Sequence, residues 1–356
     1  MGNLTTILCA FMRNIGGQFV GPLPTTEHTA ALGVKYAPQD ACMPMKIVLG
    51  NFLEAYAHGA DTALFFGGKG PCCFGYFAET FQLIFRKNGI PMRVIALENN
   101  AQGVREAMQL LTAVGKKSLR YDASLLPLGI KCADMLDRYE QAVYDKQAEI
   151  TDPAEKSKLR IFLSELEQKM KAAVSLRALY VLAKQGIAAL SDFQSDTVPQ
   201  IRIGVVGDIY SVIDPFMNKN IQSVLADMGA YTQRSMSISG WLDDKVKRRR
   251  QSWRQAADEF LPSRVGGFAR ETVGNAARWA NGGFDGIIEI YPLNCMPESV
   301  ARNILPKVSA TYGKPILSVV VDEMSGEAGY LTRLEAFTQM MIRKKDAQLE
   351  RAISGH

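Results

Sequence analysis

Residues 286–297, Gly286-Ile287-Ile288-Glu289-Ile290-Tyr291-Pro292-Leu293-Asn294-Cys295-Met296-Pro297, decide the fold. Gly286 to Tyr291 is a short apolar run of strand length. It leads through Cys-Met-Pro into a helical pattern running from Glu298 to Tyr312. A proline two residues after the cysteine suits the first turn of a helix, where its missing N–H costs nothing. Two further apolar runs, Ile201 to Val206 and Ile316 to Val321, flank this unit and read as strands. Helical patterns at Asn218 to Met228 and Trp241 to Leu261 separate them. Thr332 with Glu335 three residues on reads as a capping box opening the last helix. Strands alternating with helices of this length specify a parallel, layered α/β sheet.

The first third of the chain repeats the pattern. Helices are expected at Lys46 to His58, Tyr76 to Asn88 and Gln102 to Val114. Strands are expected at Thr62 to Phe66 and Met92 to Leu97. Cys-Met-Pro recurs at Cys42-Met43-Pro44, again directly before a helix. Residues 122–190 differ: charges are dense, strand signals are missing, and Leu159, Phe162, Leu163, Leu166 and Met170 recur at helical spacing. Asp152-Pro153 marks a helix start inside this region. The expected architecture is therefore α/β, with two Rossmann-like parallel-sheet domains joined by a long helical segment. The boundaries are 1–120 for an N-terminal domain with two cysteine loops, 121–198 for the helical connector and 199–356 for a C-terminal domain with the third cysteine loop.

Composition narrows the function classes. The chain has 356 residues, 47% hydrophobic and 22% charged, ordinary values for a globular protein. No apolar run reaches the ~18 residues of a membrane span, so no membrane role is expected. A net charge of +5 does not call for nucleic acid, and the run Lys245, Lys247, Arg248, Arg249, Arg250 reads as a solvated helix face. The three histidines, His28, His58 and His356, are too few and too scattered for a three-histidine metal site or a histidine-based triad. Gly-Gly-Lys-Gly at 67–70 lacks P-loop spacing, so the chain is not expected to hydrolyse ATP itself. No basic segment precedes the apolar Ile7 to Phe11, which argues against secretion. A cytoplasmic location would keep the six cysteines reduced.

Those cysteines carry the chemistry. Cys42 and Cys295 precede helices, where the helix dipole and free N–H groups favour a thiolate and an anionic ligand. Cys72 and Cys73 follow the glycine-rich stretch at 67–70, whose backbone permits close approach of a bulky group. In open parallel sheets such junctions gather beyond the carboxyl ends of the strands. Cys9 and Cys132 sit in helix-like apolar patterns and read as small buried hydrophobes. For Cys42, Cys72 and Cys295 the same bland reading stands beside metal binding. Thiolate-only ligation suits an iron–sulfur cluster better than zinc. Three cysteines would leave one iron open to another ligand.

Taken together these motifs resemble a known family. They include Met1-Gly2-Asn3, Leu32-Gly33-Val34-Lys35-Tyr36-Ala37-Pro38, Ala41-Cys42-Met43-Pro44-Met45-Lys46, Gly67-Gly68-Lys69-Gly70-Pro71-Cys72, Asp208-Ile209-Tyr210 with Asp214-Pro215-Phe216, Cys295-Met296-Pro297, and Asp322-Glu323-Met324-Ser325-Gly326-Glu327-Ala328-Gly329. The match spans nearly the whole chain and is similar to the 2-hydroxyacyl-CoA dehydratase and benzoyl-CoA reductase superfamily. Within it the chain looks closest to the branch labelled CoA-substrate-specific enzyme activase-related, which includes double-cubane cluster proteins. The resemblance implies a cysteine-ligated cluster (4Fe-4S, or part of a double cubane) between α/β domains, at Cys42, Cys72 and Cys295. It implies a separate ATP-hydrolysing activase as electron donor, anaerobic metabolism, and a homo- or hetero-oligomer with a related subunit. A double cubane would want more thiolates than these three, which a second subunit would supply. Relatives usually carry arginine where this chain has Cys73, which is a possible additional ligand or neutral filling. They also carry a short strand before Met-Gly-Asn that this chain lacks.

Lys46 and Lys69 lie beside the cysteine loops and would offset an anionic cluster, or are simply solvated. Glu327 and Arg333 flank the loop that leads into the last helix, as a pocket or activase-docking pair or as a plain loop ion pair with a cap. With Lys69 they are the candidate catalytic residues. The expected function is an iron–sulfur component of an ATP-dependent, low-potential reductase or dehydratase system. Such a component accepts electrons from the activase and delivers them to a small molecule or acyl-CoA at the cluster. The alternative is a non-catalytic electron-relay or scaffold subunit.

Overall fold

The computed structural model describes residues 2–21, 23–65, 67, 72–97, 101–116, 119–241, 252–323 and 326–354. In chain order the elements begin with α1 (Gly2–Ile15), α2 (Glu27–Tyr36), α3 (Met43–Ala57) and β1 (Thr62–Phe65). A 3-10 turn (Cys73–Tyr76) leads into α4 (Phe77–Lys87), then β2 (Arg93–Ala96), α5 (Ala101–Val114) and α6 (Leu119–Ser124). Three longer helices follow: α7 (Leu126–Ala148), α8 (Pro153–Lys171) and α9 (Leu176–Ala189). The last part holds β3 (Ile201–Gly207), α10 (Ile209–Ile213), α11 (Ile221–Asp227), β4 (Ala230–Arg234), α12 (Ser252–Phe260), α13 (Ala269–Asn281), β5 (Gly286–Pro292), α14 (Met296–Tyr312), β6 (Ile316–Val321) and α15 (Glu327–Ser354).

The fold is α/β with two parallel sheets. β1 and β2 pair in one; the other has the order β4-β3-β5-β6. Every position of β5 is buried, as a central strand covered on both faces requires. Its alternate residues serve two cores. Ile287 packs with Val273, Ala277, Leu305 and Val308 of α13 and α14. Ile288 and Ile290 pack with Leu225 of α11, with Leu334 and Phe337 of α15, and with Met43 and Ile47 of α3. A helix from the first third of the chain thus belongs to the core of the last third. The small sheet rests on its own cluster around Phe81 and Phe85 of α4 and Leu49 and Leu53 of α3.

The connector expected at 121–198 is helical throughout α7, α8 and α9, and α1 joins it through Ile7, Ala10 and Ile15. Arg13 ties the two by donating to the carbonyls of Lys171 and Ala173 at 2.7 and 3.0 Å. α7 is pinned to β4 by Arg234, which bridges Asp137 (3.0 Å) and Glu140. The break at Asp152-Pro153 is as expected: the Asp152 carboxylate caps α8 by accepting from the Glu155 N–H at 3.0 Å. Asp152→Ala is expected to lower unfolding stability by about 1 kcal/mol. Denaturant melts of the two proteins test this, and superimposable curves would contradict the cap.

The last helix departs from the sequence reading. It begins at Glu327, five residues before Thr332. The Thr332 hydroxyl donates to the Ala328 carbonyl within the helix, so it is not a cap. The helix expected at Trp241 to Leu261 is described from Ser252; residues 242–251, with the Lys245–Arg250 basic run, lie outside the described residues. No helix of the described residues is long and apolar enough to cross a membrane.

Candidate functional site

The sheet order places β3, β5 and β6 side by side, so their carboxyl ends form one edge. Asp208 follows β3, Cys295 lies three residues beyond β5, and Glu323 follows β6. The register pairs Gly207 with Ile290, bringing Asp208 level with the exit of β5. Gly207 at φ 147° makes that turn, and a Cβ there would meet the Ile290 carbonyl at 2.5 Å.

α3 enters this edge from the other side. Cys42 is its N-cap and Pro44 stands in its first turn. Lys46, one turn on, is buried at 3% exposure, and its ammonium donates to Glu323 Oε1 and to the Gln39 carbonyl, both at 3.1 Å. Lys46 is therefore not solvated: it bolts the Cys42 helix to the end of β6. Cys72 reaches the same place through Gly267. That residue has φ +67°, and a Cβ on it would meet Pro297 Cγ at 2.5 Å and Cys72 Cβ at 3.8 Å. Only glycine fits comfortably between the Cys72 loop and the Cys295 helix.

Cys42, Cys72 and Cys295 are thus gathered. Each is an N-cap with extended backbone, at α3, at the 3-10 turn and at α14, and none closes a side-chain cap hydrogen bond. Cys42 lies within electrostatic reach of Cys72 and Cys73, and Cys295 within reach of Cys42. All three thiols sense the carboxyl of Asp208. The expected stabilisation of the thiolates is not what results. Burial pushes Cys42 up to about 12, although the Met45 N–H favours its thiolate. Burial raises Cys72 and Cys295 too, against the N–H groups of Phe74 and Glu298. Desolvation outweighs the helix end because these sulfurs lie under protein rather than at its surface. Without a cationic ligand they are neutral thiols.

Two buried acids lie within electrostatic reach of these thiols. Asp208 Oδ1 accepts from the N–H groups of Tyr210 (2.9 Å) and Ser211 (3.2 Å). Its Oδ2 is buried and closes no hydrogen bond of normal geometry, while the Ser211 hydroxyl beside it favours the charged form. Glu298, fully buried, accepts from Thr272 Oγ1 at 3.0 and 3.2 Å. Burial drives both carboxyls up toward the neutral form. Sequence reasoning missed both; the available signal was an acid directly after an apolar strand, at the end where such sheets bind ligands.

Cys132 is a core residue whose thiol donates to the Leu176 carbonyl at 3.1 Å, as its apolar setting implied. Cys9 is half-buried on α1. Cys73 is exposed at the start of the 3-10 turn. Glu327 and Arg333 are both exposed on α15 rather than in a loop, and Arg333 donates to the Ser318 carbonyl at 2.7 Å. Lys69, with Gly68, Gly70 and Pro71, lies outside the described residues. His28 and His58 are exposed on α2 and at the end of α3.

Among the described residues no three of the histidine, cysteine and acidic side chains sit close enough to hold a single metal ion. One tetrahedral ion with sulfur at about 2.3 Å draws its thiolates to within about 4 Å of one another. A polynuclear core holds its thiolates further apart than that. The donor set of three thiols, no imidazole and one spare carboxylate oxygen suits iron and inorganic sulfide. No family model matches the chain, and no curated protein matches it.

Proposed function

We propose that the chain is the iron–sulfur component of an ATP-dependent, low-potential reductase or dehydratase system, of the 2-hydroxyacyl-CoA dehydratase and benzoyl-CoA reductase kind. One observation carries this reading: Cys42, Cys72 and Cys295, more than 200 residues apart from first to last, share one strand-end edge with a buried carboxylate oxygen that closes no normal hydrogen bond. Three neutral thiols, one buried and two half-buried, each facing a helix-end N–H that favours its anion, suit ligation: as iron ligands they become anions whose charge is met by metal. In this reading the two sheets are two Rossmann-like domains, and the helical region between them is the joining arm. The cluster, when bound, supplies a low-potential electron to a small molecule or an acyl-CoA.

The chain's own groups have separable tasks. Cys42, Cys72 and Cys295 hold the cluster. Lys46 with Glu323 fixes the Cys42 helix against the sheet and places a positive charge behind it, which favours the reduced state of an anionic centre. The electron donor is a separate ATP-hydrolysing activase, and the reducing interior of a cell is where the six free thiols would persist.

Oxygen-free purification tests this directly. The expected result is a brown protein with iron and acid-labile sulfide in equal amounts. Cys42→Ala, Cys72→Ala and Cys295→Ala each lose most of both, while Cys9→Ala keeps them. A spectral change on adding activase, ATP and substrate supports the enzyme, and colour without response to substrate supports the relay subunit. A colourless wild type, with metal content untouched by the three substitutions, overturns the reading.

A further inference from the structure

If three cysteines hold a four-iron core, one iron has no thiolate, and one acid lies within electrostatic reach of all three thiols. Asp208 is 9% exposed, so its carboxyl is almost wholly under protein. Its first oxygen is fixed by two backbone N–H groups at the start of α10. That leaves the carboxylate no freedom to turn its second oxygen elsewhere. The second oxygen has no hydrogen bond of normal geometry and no solvent; the Ser211 hydroxyl alongside favours its anion but has no close partner of its own. A buried polar atom left bare costs about 1–3 kcal/mol, and natural folds keep such atoms where something else completes them. The bare oxygen belongs to the one side chain that all three thiols sense.

Among the described residues no cation pairs with it. Lys46, the buried ammonium nearby in the chain fold, is committed to Glu323 and to the Gln39 carbonyl. Cys73, the other sulfur in range of Cys42, is exposed at the rim. Glu298 has both oxygens on Thr272. Of the groups around the three thiols, Asp208 is thus the acid that is buried, oriented and still has an open lone-pair face.

We infer that Asp208 Oδ2 is the fourth protein ligand of the cluster, an oxygen donor to the iron that Cys42, Cys72 and Cys295 leave without a thiolate. This rests on the cluster reading above. It makes the site 3-Cys-1-Asp: a hard carboxylate on one iron lowers that iron's affinity for sulfur donors and leaves a ligand that an incoming substrate oxygen can displace. It also gives the neighbouring β3 and β5 ends a joint role, one supplying the acid and the other Cys295.

The test compares wild type with Asp208→Asn and Asp208→Cys, all prepared without oxygen. Asp208→Asn keeps an Oδ1 acceptor for the Tyr210 and Ser211 N–H groups, so the start of α10 is preserved, while its amide nitrogen cannot bind iron. Circular dichroism and thermal melts confirm that the variants fold. The expected wild type carries about four irons and four sulfides per chain, with one iron distinct from the other three by Mössbauer spectroscopy. In Asp208→Asn the distinct iron is lost as Fe2+ on gel filtration, leaving about three irons with sulfide unchanged, and a three-iron electron paramagnetic resonance signal appears once ferricyanide removes one electron from the remaining core. In Asp208→Cys about four irons remain and the distinct site disappears. A four-iron wild type whose spectrum and iron count are unchanged in Asp208→Asn overturns the Asp208 assignment alone. A wild type without iron overturns the cluster reading and this inference together.

Discussion

Gly50→Ala is expected to cost about 3–5 kcal/mol of stability and most of the chain's capacity to hold iron. α2 and α3 pack with their backbones almost in contact. A Cβ on Gly50 would overlap the Thr29 carbonyl, and a Cβ on Gly33 would overlap the Lys46 carbonyl from the opposite side. Neither neighbour is a side-chain tip that can swing away; both are backbone inside helices. The two helices must therefore part before a methyl group fits. Parting them strips the buried hydrogen bond from Thr29 to Glu54 (2.8 Å). It also drags Lys46 from Glu323 and moves Cys42, which caps the same helix. Close packing transmits such a shift instead of absorbing it. Gly129→Ala in α7 is the matched control, since its Cβ would find only Leu176 Cδ1 at 4.0 Å. It should be neutral, or stabilising by about 0.5–1 kcal/mol through the lost freedom of the unfolded chain. Denaturant unfolding midpoints and iron content of the two variants are the measurements. Equal behaviour of Gly50→Ala and Gly129→Ala would refute the packing argument.

Strands β3, β5 and β6 were legible because central strands of a parallel sheet are apolar on both faces, and no helix of the chain imitates Ile201 to Val206 or Ile316 to Val321. β4 was not, because it is an edge: Ala230-Tyr231-Thr232-Gln233-Arg234 buries only alternate residues, two of them small or polar. α13 was missed for the opposite reason. Ala-Arg-Glu-Thr-Val-Gly-Asn-Ala-Ala-Arg-Trp-Ala-Asn has few large apolar residues, yet most of it is buried, because small residues let α12 approach until Gly274 meets the Trp253 carbonyl. Periodicity counts large side chains and is blind to helices that bury themselves by being thin. The Thr332-Glu335 signature misplaced the last helix because a threonine hydroxyl is satisfied equally by a carbonyl one turn back.

The positions of Cys42 and Cys295 were readable, since Cys-Met-Pro states both the helix start and the residue before it. Their electrostatics were not. Helix ends and N–H groups argue for a thiolate at the surface, whereas the state of Cys42 is decided by how much protein covers it, a tertiary quantity. The same holds for Lys46. Its charge was evident; its burial followed only once β6 was known to end against α3, with Glu323 as its partner. Asp208 shows the limit most clearly: its motif was visible, but an oxygen without a partner has no sequence signature.

Glu289→Gln is expected to stabilise the protein increasingly as the pH rises. Glu289 is fully buried in β5, on the face that carries α14. The Ser318 hydroxyl donates to its Oε2, and its Oε1 has no partner. Burial raises its carboxyl to about 7 from an ordinary 4.5, against the pull of that hydroxyl and of Arg302 on α14. Glu298, also on α14, senses Glu289 and is pushed the same way. Between pH 4.5 and about 7 the unfolded chain releases this proton while the fold keeps it. The unfolded state then binds fewer protons, so stability falls as pH rises through that window, by about 3 kcal/mol for this group, and levels off above it. Glutamine imitates the protonated acid at every pH and removes the slope. The stability difference between Glu289→Gln and wild type should therefore grow by about 3 kcal/mol between the lower edge of the window and about pH 8. Asp208 titrates in both proteins and cancels in the difference, whereas relieving Glu298 of the Glu289 charge adds to it with the same sign. A difference that stays constant with pH would mean that Glu289 is already ionised in the fold, with Arg302 compensating its charge.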